Sequence, residues 1–401
     1  MKNKTLSQSL VKEISENEPA WMLKKREDSW RIFSSMRFSD LNDSPKSGRY
    51  TNMEMIDLEK ESARASISLE SKKNGIIVGN LNDALKQYPS LIESHLYSCV
   101  KPSSHKLAAL NSALWNNGVF VYVPKNVSAN IPITASITSP YKSALIFTHT
   151  LIIADEGSAV NYFEASNSEP SEYPSYNSSV VEIYAKKNAM VNFFSLQNFG
   201  LSDNVFSWQG GILDEGAEIN WNNGLFGGKL SILINESHFH GENSKTANNG
   251  IFFLNKNQHA DISTNAHHRV PYTKNEMDWK GILDDDAVSV YRGLIDIGPG
   301  AKKTKSTMKE HTIMLSKNAK SNALPSLSIK TNDVQAKHGT TCGYLDETEL
   351  FYLMSRGLSR AEARKMILFG FFNSLLEKIP FEAIKNMFES KTNEKMKNEH
   401  E

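Results

Sequence analysis

Few side chains in this sequence have the type and spacing to do chemistry. His238-Phe239-His240 sets two imidazoles on one face of a strand, because successive side chains alternate. Such a pair can bind zinc or another borderline metal if a third ligand arrives from elsewhere. The plainer reading is two polar side chains on a solvated face. His267 and His268 are adjacent, so a strand sends them to opposite faces and away from a shared metal. Cys342 follows His338 by four residues, in KHGTTCG. A thiolate beside an imidazole can bind iron or accept sulfur. Proteolysis would also need an orienting group and an oxyanion site, and no such signature is present. The plainer reading of Cys342 is a small packed residue at a domain junction. Cys99 follows an apolar helical pattern and reads as structural. Asp284-Asp285-Asp286 carries the charge of a cation site but lacks the alternating spacing and distal Glu of a calcium loop, so it reads as a solvated turn. Neither a GxxxxGK[ST] loop nor a strand-borne GxGxxG is present. No acid pair selects glycoside hydrolysis. The residues alone leave the function open.

Composition narrows the classes. The chain has 401 residues, enough for one large domain or two to three smaller ones. Lys+Arg and Asp+Glu both number 45, which argues against a general nucleic-acid binder. No apolar run approaches the roughly 18–20 residues needed to cross a bilayer, and the first residues lack the apolar centre of a signal peptide. Two cysteines make neither a disulfide framework nor a four-thiolate site. The expectation is a reduced cytoplasmic protein with no nucleic-acid or membrane partner.

Three zones must position whatever chemistry exists. Residues 1–110 read as an N-terminal helical region. Pro19 can sit at a first helical turn, and Trp21, Met22, Lys25, Ser29 and Trp30 follow at helical spacing. A second helix is expected over Leu81–Ser98, and Phe38–Leu58 reads as an extended linker. Residues 111–335 read as β. Short β-rich runs alternate with polar turns, and Ala159, Ala189, Ala217, Ala260, Ala287, Ala301 and Ala319 recur near the turns. Several of these intervals suit one or two coils of a solenoid, whose stacked coils share a core. A sandwich with many similar turns is the alternative. Residues 336–401 return to helix. Asp346/Glu349 and Ser359/Glu362 stand at capping-box spacing, and Gly357 can close the first helix. Leu350, Leu353 and Met354 form one apolar series; Ala363, Met366, Ile367, Gly370, Phe371 and Ser374 form the next. Pro380 stops or restarts the helix, and the charged last ten residues read as frayed.

Tyr291–Phe372 resembles the SufB/SufD family of iron–sulfur cluster assembly proteins. The matching blocks are YRGLIDIGPGAKKTKS and the run from MLSKNAKSNALPSLSIKTNDVQAKHGTTCGYLDETELFYLMSRG to FGFF. Their order and spacing are more specific than any one block. Weaker matches are EPAWMLKKR, LAALNSALWNNGVFVYVPKNV and ANIPI, so the likeness covers most of the chain. The His-Gly pair at 338–339 resembles the SufD branch. The SufB branch would carry a Glu after that His, and further cysteines that this chain lacks. Asn275 stands where the family often has Ser, and Cys342 where many relatives have an aliphatic residue, so no role passes to Cys342 by likeness.

The resemblance implies a right-handed parallel β-helix core between helical ends. It implies a non-catalytic scaffold that pairs with a SufB-like paralogue and binds a SufC-like ATPase through its C-terminal helices. Tyr352, Arg356, Gly357, Met366 and Phe371 are the expected ATPase contacts. His338 matches the family histidine at the paralogue interface and is the candidate iron ligand, with Cys342 beside it. No stably bound cofactor is expected, only a transient iron–sulfur cluster at the partner interface. An isolated chain could form a homodimer. A SufB-like homodimeric scaffold and a carbohydrate-active β-helix enzyme are the rival readings.

Overall fold

The computed structural model describes residues 6–37, 51, 58–71, 75–140, 143–169 and 173–397. The linker expected over 38–58 lies outside the described residues except at Thr51 and Leu58. Among the described residues, five α-helices belong to the N-terminal region: α1 Gln8–Ile14, α2 Ala20–Ser35, α3 Leu81–Gln87, α4 Pro89–Glu93 and α5 Lys106–Leu114. Three short strands lie among them, β1 Ser62–Ala63, β2 Ser66–Glu70 and β3 Ile77–Asn80. The β region then runs β4 Asn117–Val123, β5 Ser128–Ser139, β6 Leu145–Ala154, β7 Ala159–Ser168, β8 Tyr176–Ala185, β9 Met190–Asn198, β10 Asn204–Leu213 and β11 Glu218–Leu225. It continues as β12 Leu230–Phe239, β13 Lys245–Leu254, β14 His259–His268, β15 Lys274–Leu283, β16 Val288–Ile297, β17 Lys305–Met314, β18 Lys320–Ile329 and β19 Gln335–Tyr344. Helices α6 Glu347–Ser355, α7 Arg360–Leu376 and α8 Glu382–Lys397 close the chain.

Consecutive strands from β4 alternate between two sheets. The even-numbered strands β4–β18 pair in parallel in one sheet, the odd-numbered β5–β19 in the other. Each successive pair is one coil, so the core is a two-sided parallel solenoid of eight coils. The stacking interval is not constant. Leu230 opposes His259, 29 residues on, and Val288 opposes Lys320, 32 residues on. That drift blurs the alanine repeat in the sequence. The corners explain the alanines. Ala189, Ala217 and Ala287 each end a four-residue turn, donating to Lys186, Asp214 and Asp284 at 2.8, 3.1 and 3.1 Å. The residue second before or just before each alanine is left-handed: Asn188 at φ 56°, Gly216 at φ 67° and Asp285 at φ 50°. These three alanines are buried, where a larger side chain would meet the next corner.

Inside the coils, Tyr162, Phe193 and Trp221 stack from coil to coil at 5.7 and 5.4 Å between ring centres. Beside them runs a ladder of buried amides. Gln209 donates to Asn223 (2.8 Å), Asn235 to Gln209 (2.9 Å), Asn248 to Asn235 (2.7 Å), and the Trp279 indole to Asn248 (3.0 Å). These donors find acceptors across the same coil or one coil away, which is what makes polar residues tolerable there.

Helices cover both outer faces. The N-terminal helices pack on the even sheet through Phe120, Phe147, Leu151, Phe206 and Trp208. Glu182, fully buried on that sheet, accepts from the Tyr97, Cys99 and Val100 amides at 2.9–3.0 Å and faces His149 Nε2 at 3.0 Å. The C-terminal helices pack on the odd sheet through Leu368, Phe372, Leu375, Ile384 and Phe388 against Phe163, Phe194, Phe253 and Ile282.

Several boundaries differ from the sequence reading. The single helix expected over Leu81–Ser98 is two, because Pro89 removes a donor and Tyr88 leaves helical geometry (φ −132°, ψ 48°). Helix α5 crosses the expected 110/111 boundary. All nine of its residues are buried, so it shows no amphipathic period. The β core runs to Tyr344, not 335, because KHGTTCG is a strand paired with β17. Helix α8 continues to Lys397 with Thr392 and Met396 buried, so the expected fraying does not begin at 392; residues 398–401 lie outside the described residues. Asp346 caps α6 through the Thr348 amide at 2.7 Å, and the reciprocal capping box forms only at Ser359/Glu362.

Candidate functional site

The two ends of the solenoid are finished differently. At the N-terminal end, β3 pairs antiparallel with β4 and β2 antiparallel with β5, so the first coil is capped on both sheets. At the C-terminal end β18 and β19 are the outermost strands. Among the described residues the chain does not fold over them. From α7 it runs back along the odd sheet, tied by Arg364 to Asp284 (3.0 Å), Lys280 to the Phe371 carbonyl (2.6 Å) and Lys378 to Asp278 (3.2 Å). Phe381 then meets Phe194 edge-on at 5.9 Å. Among the described residues the last coil is therefore open, with unpaired edges on both sheets.

Register defines what this end presents. In β17 the buried positions are Ser306, Met308, Glu310 and Thr312. They pair with Ala336, His338, Thr340 and Cys342 of β19. These four residues thus face the solenoid interior, but no further coil lies above them. His338 and Cys342 are exposed. Core-type side chains of the same coil are exposed with them: Leu327 is 40% exposed, Ile329 41% and Tyr344 59%. The structure brings His338 and Cys342 together on one strand face, four residues apart.

Beneath them lies a residue the sequence reading passed over. Glu310 is 1% exposed, and its Oε1 accepts from the Thr312 hydroxyl, while Oε2 has no partner. Burial pushes its carboxyl up to about 7 despite the Thr312 hydroxyl. Partial burial also raises the Cys342 thiol; the Ser321 hydroxyl opposes the rise and the Glu310 carboxyl adds to it. The only sequence signal for Glu310 was its place at an inward position of a strand, which needs the register to be known.

A pH dependence follows. Between pH about 4.5 and about 7 the folded chain keeps a proton on Glu310 that the unfolded chain has released. Stability of the last coils should therefore fall as pH rises through that window. Glu310→Gln should flatten this slope and slow amide hydrogen exchange in β17–β19 at pH 8. Equal slopes in the two proteins would show that the carboxyl does not couple to stability.

The expected ATPase contacts separate. Tyr352 (55% exposed) and Met366 (54%) are free, and Arg356 lies over the Tyr352 ring at 5.2 Å, its Nη2 donating to the phenol oxygen at 3.2 Å. Gly357 ends α6 at φ 99°, the left-handed geometry that favours glycine. Phe371 is half-buried instead, against Phe372 and under Lys280 at 4.7 Å. The buried stripe of α7 is Ala363, Leu368, Phe372, Leu375 and Leu376, which leaves Met366 and Gly370 on the other side. Phe351, 71% exposed, and Met354, 39%, join the free face. Phe351 was not singled out in the sequence, because no local pattern tells an exposed Phe from a packed one.

The outer histidines do not make a metal site. His238 stacks on His267 of the next coil at 4.8 Å, with His240 6.5 Å away. His267 lies 3.7 Å from Glu236 and 3.5 Å from Asp296, while His268 points inward and is fully buried. Among the described residues no group of three His, Cys, Asp or Glu could hold a metal ion. Asp285 is a turn residue as expected, and Asp284 pairs with Arg364. Cys99 is buried, as its structural reading required.

Residues 136–371 match the family model described as the SUF system FeS cluster assembly, SufBD core domain. The chain belongs to the SufBD family. Residues 59–135 match the SufBD protein N-terminal region. The chain is 29% identical to an iron–sulfur cluster assembly SufBD family protein of Staphylococcus haemolyticus, with 94% of this chain and 90% of the relative covered. Likenesses of the same extent hold for Staphylococcus saprophyticus (29%) and Staphylococcus aureus (28%) proteins of that name. The core match takes in every strand from β6 to β19 and most of α7, so the open coil and the exposed α6 face both lie inside the SufBD core. This SufBD chain is thus an iron–sulfur cluster assembly protein. No helix among its described residues is long and apolar enough to cross a membrane.

Proposed function

We propose that this chain is a SufD-type scaffold subunit, without catalysis of its own, working in the cytoplasm. The observation that carries the reading is the open last coil. Half-exposed Leu327, Ile329 and Tyr344 in core positions, with unpaired strand edges, suit end-on pairing with another solenoid of the same kind. A cysteine-richer SufB-like paralogue is the partner that fits best, because this chain supplies only two cysteines and one of them is buried. At that junction the His338 imidazole would meet the nascent cluster, which is cargo and not a resident cofactor. The face formed by Phe351, Tyr352, Met354 and Met366 is apolar and separate from the open end, and a SufC-like ATPase docked there could move α6 and α7 against the solenoid. The SufB-like homodimer draws support from the same open end, since two copies could bury the same residues against each other.

Reconstitution with the purified paralogue and ATPase of the same genome tests the reading. The three should form one complex. Phe351→Glu should remove the ATPase and keep the paralogue, weakening ATPase binding by at least tenfold. His338→Ala should keep both partners and lower the rate of cluster formation. A chain that binds neither protein under conditions where the paralogue and ATPase are active would overturn it.

A further inference from the structure

Charge is spread unevenly along the solenoid. From Gly298 to Lys337 stand eight lysines against two acids, Glu310 and Asp333, although the whole chain balances at 45 cations and 45 anions. All eight lysines are exposed, while Glu310 is buried and offers them no counter-charge at the surface. The earlier coils treat their lysines differently. At the corners leading from the even to the odd sheet, Lys125 pairs with Glu156 (2.7 Å), Lys186 with Asp155 (3.4 Å) and Lys187 with Glu215 (2.9 Å), each across one coil. Of the eight later lysines, only Lys303 finds such an acid among the described residues, Asp333 at 2.9 Å.

Register gathers several of the unpaired lysines on one face. Lys305 and Lys309 alternate with the buried positions of β17 and point outward. Lys337 of β19 opposes Thr307, midway between them, so its α-carbon lies about 8 Å from each of theirs. One coil below, Lys274 opposes Lys305, and like charges on neighbouring strands repel. A single carboxylate there, Glu276 of β15, serves three ammonium groups. Lys274, at 2.7 Å, does most to hold it below the usual carboxylate range, and Lys378 and Lys309 add to the effect. The face is short of carboxylates.

We infer that the outer face of β17 and β19, with Lys302 and Lys330 at the corners that feed these strands, is a docking surface for an acidic protein. Charge complementarity commits the occupant. Carboxylates on a partner would give these ammonium groups what the corner acids give Lys125, Lys186 and Lys187. Other anionic partners fit less well. The outward positions between the lysines are Thr307, His311, Gln335, Gly339 and Thr341. They hold no guanidinium fork for phosphate and no Phe, Tyr or Trp ring on which a base could stack. They hold no large apolar side chain to enter a bilayer. The lysines point outward where His338 and Cys342 point inward, so docking there leaves the open coil free.

A fluorescein-labelled oligoglutamate peptide is the probe, titrated with the full chain. Binding should saturate, and it should weaken steeply as salt screens the charges. Lys305→Glu, Lys309→Glu and Lys337→Glu together should weaken it by at least tenfold, because each attraction becomes a like-charge contact. The same change of net charge at the paired corners, Lys125→Glu, Lys186→Glu and Lys187→Glu together, should weaken it by no more than about twofold. Lys305→Gln, Lys309→Gln and Lys337→Gln together bring no new charge and should show a smaller loss in the same direction. Thermal unfolding checks the fold: Lys305→Glu removes the repulsion with Lys274 and should leave the melting temperature unchanged or higher. Equal losses in the two glutamate triples would mean that net charge, and not this face, attracts the peptide. Duplex DNA of equal charge binding tighter than the peptide at the same salt would assign the face to nucleic acid. Either result, or no binding at low salt, overturns the docking surface.

Discussion

Leu327→Arg should lower affinity for a partner solenoid by at least a hundredfold and leave the fold of the isolated chain intact. The side chain sits on the interior face of β18, 40% exposed, with Ile329 beside it at 41%. In the isolated chain an arginine there can lift its guanidinium into solvent while its methylenes cover the same surface. A solenoid stacked on the end would enclose it. An unpaired buried charge costs about 3–5 kcal/mol, and each 1.4 kcal/mol is about tenfold in affinity. The double variant with Ile329→Arg should leave no measurable pairing. Calorimetric titration with the purified paralogue, alongside thermal melts of each variant, measures both halves of the expectation. Full affinity in Leu327→Arg would mean that pairing uses another surface, and the open coil would lose its functional reading.

Glu182→Ala should destabilise the chain by about 3–5 kcal/mol, the range for breaking a buried charged network by removing one partner. Its two oxygens receive the amides of Tyr97, Cys99 and Val100, the Tyr184 hydroxyl at 3.3 Å and the His149 ring at 3.0 Å. Tyr97 is itself left-handed at φ 66°, a strained conformation held by that contact and by its hydroxyl bond to the Ser112 carbonyl at 2.7 Å. Alanine would orphan several buried donors at once, and each orphan costs about 1–3 kcal/mol. The loss should appear first as faster amide exchange in α4 and α5, since Glu182 joins that layer to the even sheet. Glu182→Gln keeps an acceptor and should recover part of the loss. Urea unfolding gives the magnitude; a change below about 1 kcal/mol would show that water replaces the carboxylate without cost.

The sequence was most legible where structure is local. The Ser359/Glu362 capping box, the left-handed Gly357, the break at Pro380 and the corner alanines Ala189, Ala217 and Ala287 are each set within a few residues, and each stands in the fold, whereas Ala159 and Ala260 lie within strands. The likeness over Tyr291–Phe372 lies within the matched SufBD core but for its last residue. The boundaries were less legible. Helix α5 is buried all round and KHGTTCG is rich in small residues, so neither shows the period of its element.

The candidate site was legible only in part. His338 and Cys342 could be named from their spacing, and alternation on a strand puts them on one face. That this face looks into a solenoid, that the solenoid ends there, and that Glu310 lies one coil below were decided by the tertiary structure alone. The stacking of His238 on His267 and the division of the C-terminal helices into a seated Phe371 and a free Phe351 were decided there too. In a solenoid the decisive neighbours sit one coil away, at intervals that drift between 26 and 32 residues, and no local pattern encodes that register. The end is open because α7 and α8 find their apolar partners back along the odd sheet, from Ile282 to Phe163, and are drawn there instead of over the last coil.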